Sequence, residues 1–158
     1  MLRIVNTVIF PIIGYMNEIS NLNRALETFC ENHEMVNSFH HLSSIEQLDG
    51  LGSEYRSVAI IPSTFSIEQD GYTIDYIVVV MDKVRSGDST ALVKAEEGNV
   101  FVLGQLMDYL ASIDSEITIE GGSFASPPES NEDGYNIVAS VGTLTNSFSR
   151  PLFRNFTF

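Results

Sequence analysis

The segment from Tyr72 to Met81 restricts the possible folds more than any other part of the chain. As a strand it puts Tyr72, Ile74, Tyr76, Val78 and Val80 on one face and Thr73, Asp75, Ile77, Val79 and Met81 on the other. Its first half alternates apolar with polar, and its second half is apolar on both faces. Such a strand is central, covered on each side by a helix or by another subunit. Asp70-Gly71 precedes it and follows Phe65-Ser66-Ile67, a tight-turn signal that predicts a hairpin. The partner strand is predicted over Arg56 to Pro62, a short β-branched run ended by the proline.

Helical rhythm appears twice. Between residues 11 and 32, apolar side chains fall at Ile12, Tyr15, Met16, Ile19, Leu22, Leu26, Phe29 and Cys30, which gives one buried face. Pro11 suits the first turn, and residues 1–10 are either a separate short helix or an extended arm. The second helix starts with Asp88 or Ser89 as N-cap and carries Leu92, Val100, Leu103, Leu106, Met107, Leu110 and Ile113 in one stripe. Gly98 and Gly104 weaken it by about 1 kcal/mol each relative to alanine.

Val36 to Phe39 reads as a short strand, the rest of 34–54 as a connecting excursion, and 116–120 as a further strand. Gly121 to Gly134 is a polar connection, and a last strand runs from about Tyr135 to Thr145. The expectation is an α+β fold: a mixed or antiparallel sheet of about four to five strands with two main helices packed on it. One domain spans 1–147, and residues 148–158 form a C-terminal aromatic arm.

Composition removes several functions. With 21 acidic against 8 basic residues and a formal charge of −13, the chain lacks the basic stripe that binds nucleic acid, and it is repelled by anionic membranes. No apolar run approaches the ~20 residues that span a bilayer. Residues 1–10 are faintly signal-like, but no small-residue cleavage site follows, so no targeting segment is read. The single Cys30 excludes an internal disulfide and fits a reducing compartment. Ten carboxylates lie between Ser86 and Tyr135 against Lys94 alone, and none follows Asp133. This is a solvated acidic face, or a face turned to a lumen.

Catalytic and metal motifs are thin. Cys30 and His33 have Cys-x-x-His spacing with His40 and His41 nearby, but no second cysteine pair completes a zinc set. Cys30 is expected in a helix core and the histidines on a surface loop. Glu129 to Gly134 starts like a calcium loop, yet its twelfth position is Ser140 in place of glutamate. No phosphate loop and no Gly-x-Ser-x-Gly elbow occurs, and no carboxylate is placed to orient a histidine. The chain is read as no enzyme, with no cofactor and no metal.

The arm is the candidate interface. Phe148, Arg150, Pro151, Phe153, Arg154, Phe156 and Phe158 pack four phenylalanines and two arginines into eleven residues. They fold back on their own sheet, or they insert into a neighbour; each buried phenylalanine is worth about 1.5–3 kcal/mol in either case. The second reading is preferred, because these rings are too many for a core that is already complete.

The order of segments carries a resemblance. An amphipathic helix precedes Asn37-Ser38-Phe39. The Tyr55 to Pro62 strand, the hairpin, the Tyr72 to Val84 strand ending Met81-Asp82-Lys83-Val84, a polar break and a leucine-rich helix follow. Gly134-Tyr135 then opens the last strand. This resembles the tail-terminator-like and neck-ring virion proteins of tailed bacteriophages, the crAss-like group among them. Arg56 stands where such proteins often have proline, and His40-His41 replaces a glycine-containing turn.

The resemblance implies a tail-terminator-like fold that forms a ring of identical subunits, a hexamer or dodecamer, in the head–tail connector or tail. Adjacent portal, neck or tail proteins would be its partners. DNA would pass through without specific binding, and no membrane would be involved. The protein would be made in the host cytoplasm and reside in the virion. The alternative is a small intracellular domain whose apolar tail captures a partner.

Overall fold

A computed structural model describes residues 21–50, 54–69, 71–114, 116–125 and 134–149. Residues 21–32 are helical (α1). They are followed by β1 (Ser38–His41), a 3-10 turn (Ile45–Gly50), β2 (Ser57–Ile67), β3 (Gly71–Arg85), α2 (Ser89–Ile113), β4 (Ile117–Ala125) and β5 (Tyr135–Ser149). The strands form one sheet in the order β1-β2-β3-β5-β4. β1 runs parallel to β2 and every other neighbour is antiparallel, so the fold is α+β with a mixed five-stranded sheet.

β3 is the central strand that its sequence demands. Val78, Val79, Val80 and Met81 are all buried, two on each face. On one face Val58, Ile60, Tyr76, Val78, Val80 and Leu144 meet Leu22, Leu26 and Cys30 of α1 and Val102, Leu106 and Leu110 of α2. On the other, Ala59, Ile61, Val79 and Met81 are covered by Leu42, with Leu48 and Tyr55 packed alongside. The excursion between β1 and β2 is therefore the lid of the second face. A parallel pair needs a long crossover, and this chain uses that crossover to bury the back of its sheet.

α1 follows its sequence pattern. Leu22, Leu26 and Cys30 are buried at four-residue spacing, while Arg24, Glu27 and Glu31 are exposed. Residues 11–20 of the expected helix lie outside the described residues.

The C-terminal end of every expected strand moves outward, that of β1 from Phe39 to His41 and that of β3 from Met81 to Arg85 among them. β2 continues past Pro62 to Ile67, with a bulge between Pro62 and Thr64. β1 pairs only as far as Ile60, so Pro62 sits on an edge, where a missing N–H breaks no ladder. β4 reaches Ala125, and β5 runs through Phe148 to Ser149, paired with β3 over its whole length. Phe148 thus belongs to the sheet, and what lies beyond the sheet starts at 150. Asp75 helps to fix this register, accepting from Thr64 Oγ1 at 2.8 Å and Thr145 Oγ1 at 2.7 Å on the two flanking strands.

α2 is capped by Asp88, whose Oδ1 accepts from the Ala91 N–H at 2.9 Å. Its buried face differs from the expected stripe. Ala95, Gly98, Asn99, Val102, Leu106 and Leu110 face the sheet, whereas Val100, Met107 and Ile113 are exposed. The helix turns a partly polar, small-residue surface inward because a guanidinium occupies the space beneath it, as described next.

Candidate interaction surfaces

Arg56 enters at the start of β2 and reaches under α2. Its Nη2 bonds Asp82 Oδ2 on β3 at 2.7 Å, and its Nε donates to Asn99 Oδ1 at 2.9 Å. The Asn99 amide in turn donates to the Val138 carbonyl of β5 at 3.1 Å. One polar network thus ties β2, β3, β5 and α2 together inside an apolar layer. A Cβ at position 98 would collide with the Arg56 guanidinium, so glycine there makes room for the ion pair. No side-chain atom of Arg56, Asp82 or Asn99 is buried without a partner, as buried groups require. The network's components form a structural clamp between the helix and the sheet.

Asn37-Ser38 has a comparable local role. The Asn37 N–H donates to the Arg56 carbonyl at 2.8 Å, its side-chain amide to the Tyr55 carbonyl at 2.6 Å, and Ser38 Oγ to the Glu54 carbonyl at 2.8 Å. These contacts steer the returning chain into β2 and place Arg56 beneath α2.

The Cys-x-x-His pair also resolves into packing. Cys30 is buried, and desolvation, with Glu31 adding to it, pushes its thiol up to about 12. A thiol held neutral in this way is a poor nucleophile and metal ligand. His33 accepts from the Met35 N–H through Nδ1 at 3.2 Å, which leaves Nε2 to donate to Gln105 Oε1 at 2.5 Å. Its ring lies 5.0 Å from Phe29, which lies 5.5 Å from Tyr109. His33 therefore ties the end of α1 to α2. Among the described residues no three His, Cys, Asp or Glu side chains converge as a metal set, and no helix is long and apolar enough to cross a membrane. Of the Glu129–Gly134 segment only Gly134 is described.

What remains are exposed apolar surfaces on rigid elements. The β2–β3 hairpin carries Phe65 at 72 % and Ile67 at 58 % exposure, on the same face of the sheet as the helices. α2 exposes Val93, Val100, Phe101 and Met107, interspersed with the exposed acids Glu97 and Asp108. Sequence pattern assigned Val100 and Met107 to the core, so it missed this surface. The clue lay in the spacing of Ala95, Asn99, Val102, Leu106 and Leu110, a helical face that includes a small residue and a polar amide.

Of the expected interface residues, Phe148 is backbone-paired with Tyr72 in β5. Arg150, Pro151, Phe153, Arg154, Phe156 and Phe158 lie outside the described residues. Their point of departure is fixed nonetheless: Ser149 pairs with Gly71, beside the hairpin turn. No protein-family model matches the chain, and no curated protein matches it by sequence.

Proposed function

We propose that this chain is a non-enzymatic virion subunit that closes into a ring of identical copies in the connector or tail of a tailed phage, around the DNA channel. The observation that supports self-association is the hairpin, where the paired strands hold Phe65 and Ile67 largely exposed. Large exposed apolar side chains gathered on rigid elements mark contact surfaces. The exposed side of α2 supplies a second such surface. The station in a phage particle rests on the resemblance in segment order. An acidic surface turned to the channel would keep DNA from adhering, where a basic one would hold phosphates at many points.

β5 ends at Ser149, paired with Gly71 at the hairpin end, and in this reading residues 150–158 dock on an adjacent subunit. A chain ending at Ser149 is expected to keep its thermal midpoint, because no described core residue is removed, and to lose assembly mass by light scattering. Unchanged assembly would remove the arm from the proposal. A species that stays monomeric with the arm intact would favour the small binding domain instead.

A further inference from the structure

The side of α2 turned away from the sheet repeats every seven residues. Val93, Val100 and Met107 form one row, all exposed, and Glu97, Gly104 and Ala111 form the row beside it, each four residues farther on. These are the two core positions of a helix–helix seam, with large side chains in one row and small ones in two of the three places of the other. Gly98 is explained by the guanidinium against it, but Gly104 is not. A Cβ at 104 would meet no described atom within 4 Å, although glycine weakens a helix relative to alanine. Against a second helix, a glycine lets the two backbones approach closely.

A third row selects the partner. Lys94, Phe101 and Asp108 follow at the same spacing along one flank of the seam, and all three are exposed. Lys94 is the single basic residue between Ser86 and Tyr135. The ion pair among the described residues, Arg56 with Asp82, engages neither Lys94 nor Asp108. The row is symmetric about Phe101 and opposite in charge at its ends. A second α2 laid antiparallel therefore brings its Asp108 to Lys94, its Phe101 to Phe101 and its Lys94 to Asp108. Laid parallel, the two rows fall on opposite sides of the pair. The antiparallel register also sets Val93 against Ala111 and Val100 against Gly104 of the other copy, so large residues meet small ones. Met107 meets the stem of Glu97, whose carboxylate stands three residues from Lys94 on its own helix.

We infer that α2 of one copy packs antiparallel on α2 of a second, across a two-fold axis beside Phe101, with Lys94 of each copy against Asp108 of the other. The same patch serves on both sides, so the contact closes at two copies. It goes beyond the proposed ring, because it needs no rotational contact; on a ring it would join a second ring face to face.

Lys94→Asp and Asp108→Lys, each made in the full chain, put like charges at both flanks of the pair. Each variant is expected to lose pair affinity by about tenfold or more, seen in sedimentation as particles of half the parental mass. An equimolar mixture of the two should regain the parental mass, because every lysine then meets an aspartate again. Gly104→Leu should also halve the mass, while the urea midpoint of the remaining species holds or rises, since the new side chain has open space in its own chain. A mixture that stays at half mass, or a Gly104→Leu chain of parental mass, overturns the pairing. A parent chain that is a plain dimer, halved by these substitutions, upholds the pairing and removes the ring. Rings that keep their mass in all three variants do the reverse, and a parent that is monomeric at every concentration overturns both.

Discussion

Replacing Arg56 with alanine is expected to destabilise the fold by about 3 kcal/mol. Removing one member of a buried ion pair leaves the other charge without its partner, which typically costs about 3–5 kcal/mol. The lower end applies, because the Asp82 side chain keeps 25 % of its surface in water against 12 % for Arg56. Asn99 also loses its donor while its surroundings stay closed. For a domain of this size the thermal midpoint should fall by roughly 6–12 °C.

Gly98→Ala separates this mechanism from simple loss of contact. In the native background the new methyl displaces the guanidinium, so the substitution destabilises despite alanine's helix preference. In the Arg56→Ala background the obstruction is gone. There the same change should be neutral or stabilising by up to ~1 kcal/mol. Urea unfolding of the four proteins reads this sign reversal directly. Additive penalties would mean that Gly98 has another purpose.

Leu106→Ala is the second large effect, expected at about 2–5 kcal/mol. Leu106 is fully buried between α2 and the sheet, and a leucine truncated there leaves a cavity that its neighbours fill only in part. The adjacent Met107 is 42 % exposed, and Met107→Ala should change monomer stability by less than about 1 kcal/mol. Equal losses at the two positions in urea melts of the monomer would refute the phase of α2.

That phase is also where pattern reading and structure part company. Ranking helix residues by apolarity favours Val100, Met107 and Ile113 over Ala95, Gly98 and Asn99. It cannot register that Arg56, forty-three positions before Asn99, fills the space below the helix and selects small and amide side chains. β3, by contrast, was legible because period-two alternation and a doubly apolar second half admit one kind of strand. Asp70-Gly71 placed the hairpin for a similar reason: the turn chemistry is local.

The proline at 62 misled because its effect depends on whether a neighbour strand is present, and β1 has already ended there. The contact surface was only partly legible. The aromatic run at the C-terminus stands out in the sequence, but Phe65 and Ile67 read as ordinary strand residues until their exposure in the hairpin is seen. The buried thiol follows the expectation for a helix core. His33, however, bridges two helices and does not lie on a free loop.

The account stands or falls on whether identical copies complete one another. Electron-microscope images of the purified full-length chain, taken across micromolar concentrations, address this most directly. Closed rings of one diameter with a central opening are the expected result. A field of separate single-subunit particles at every concentration would contradict it.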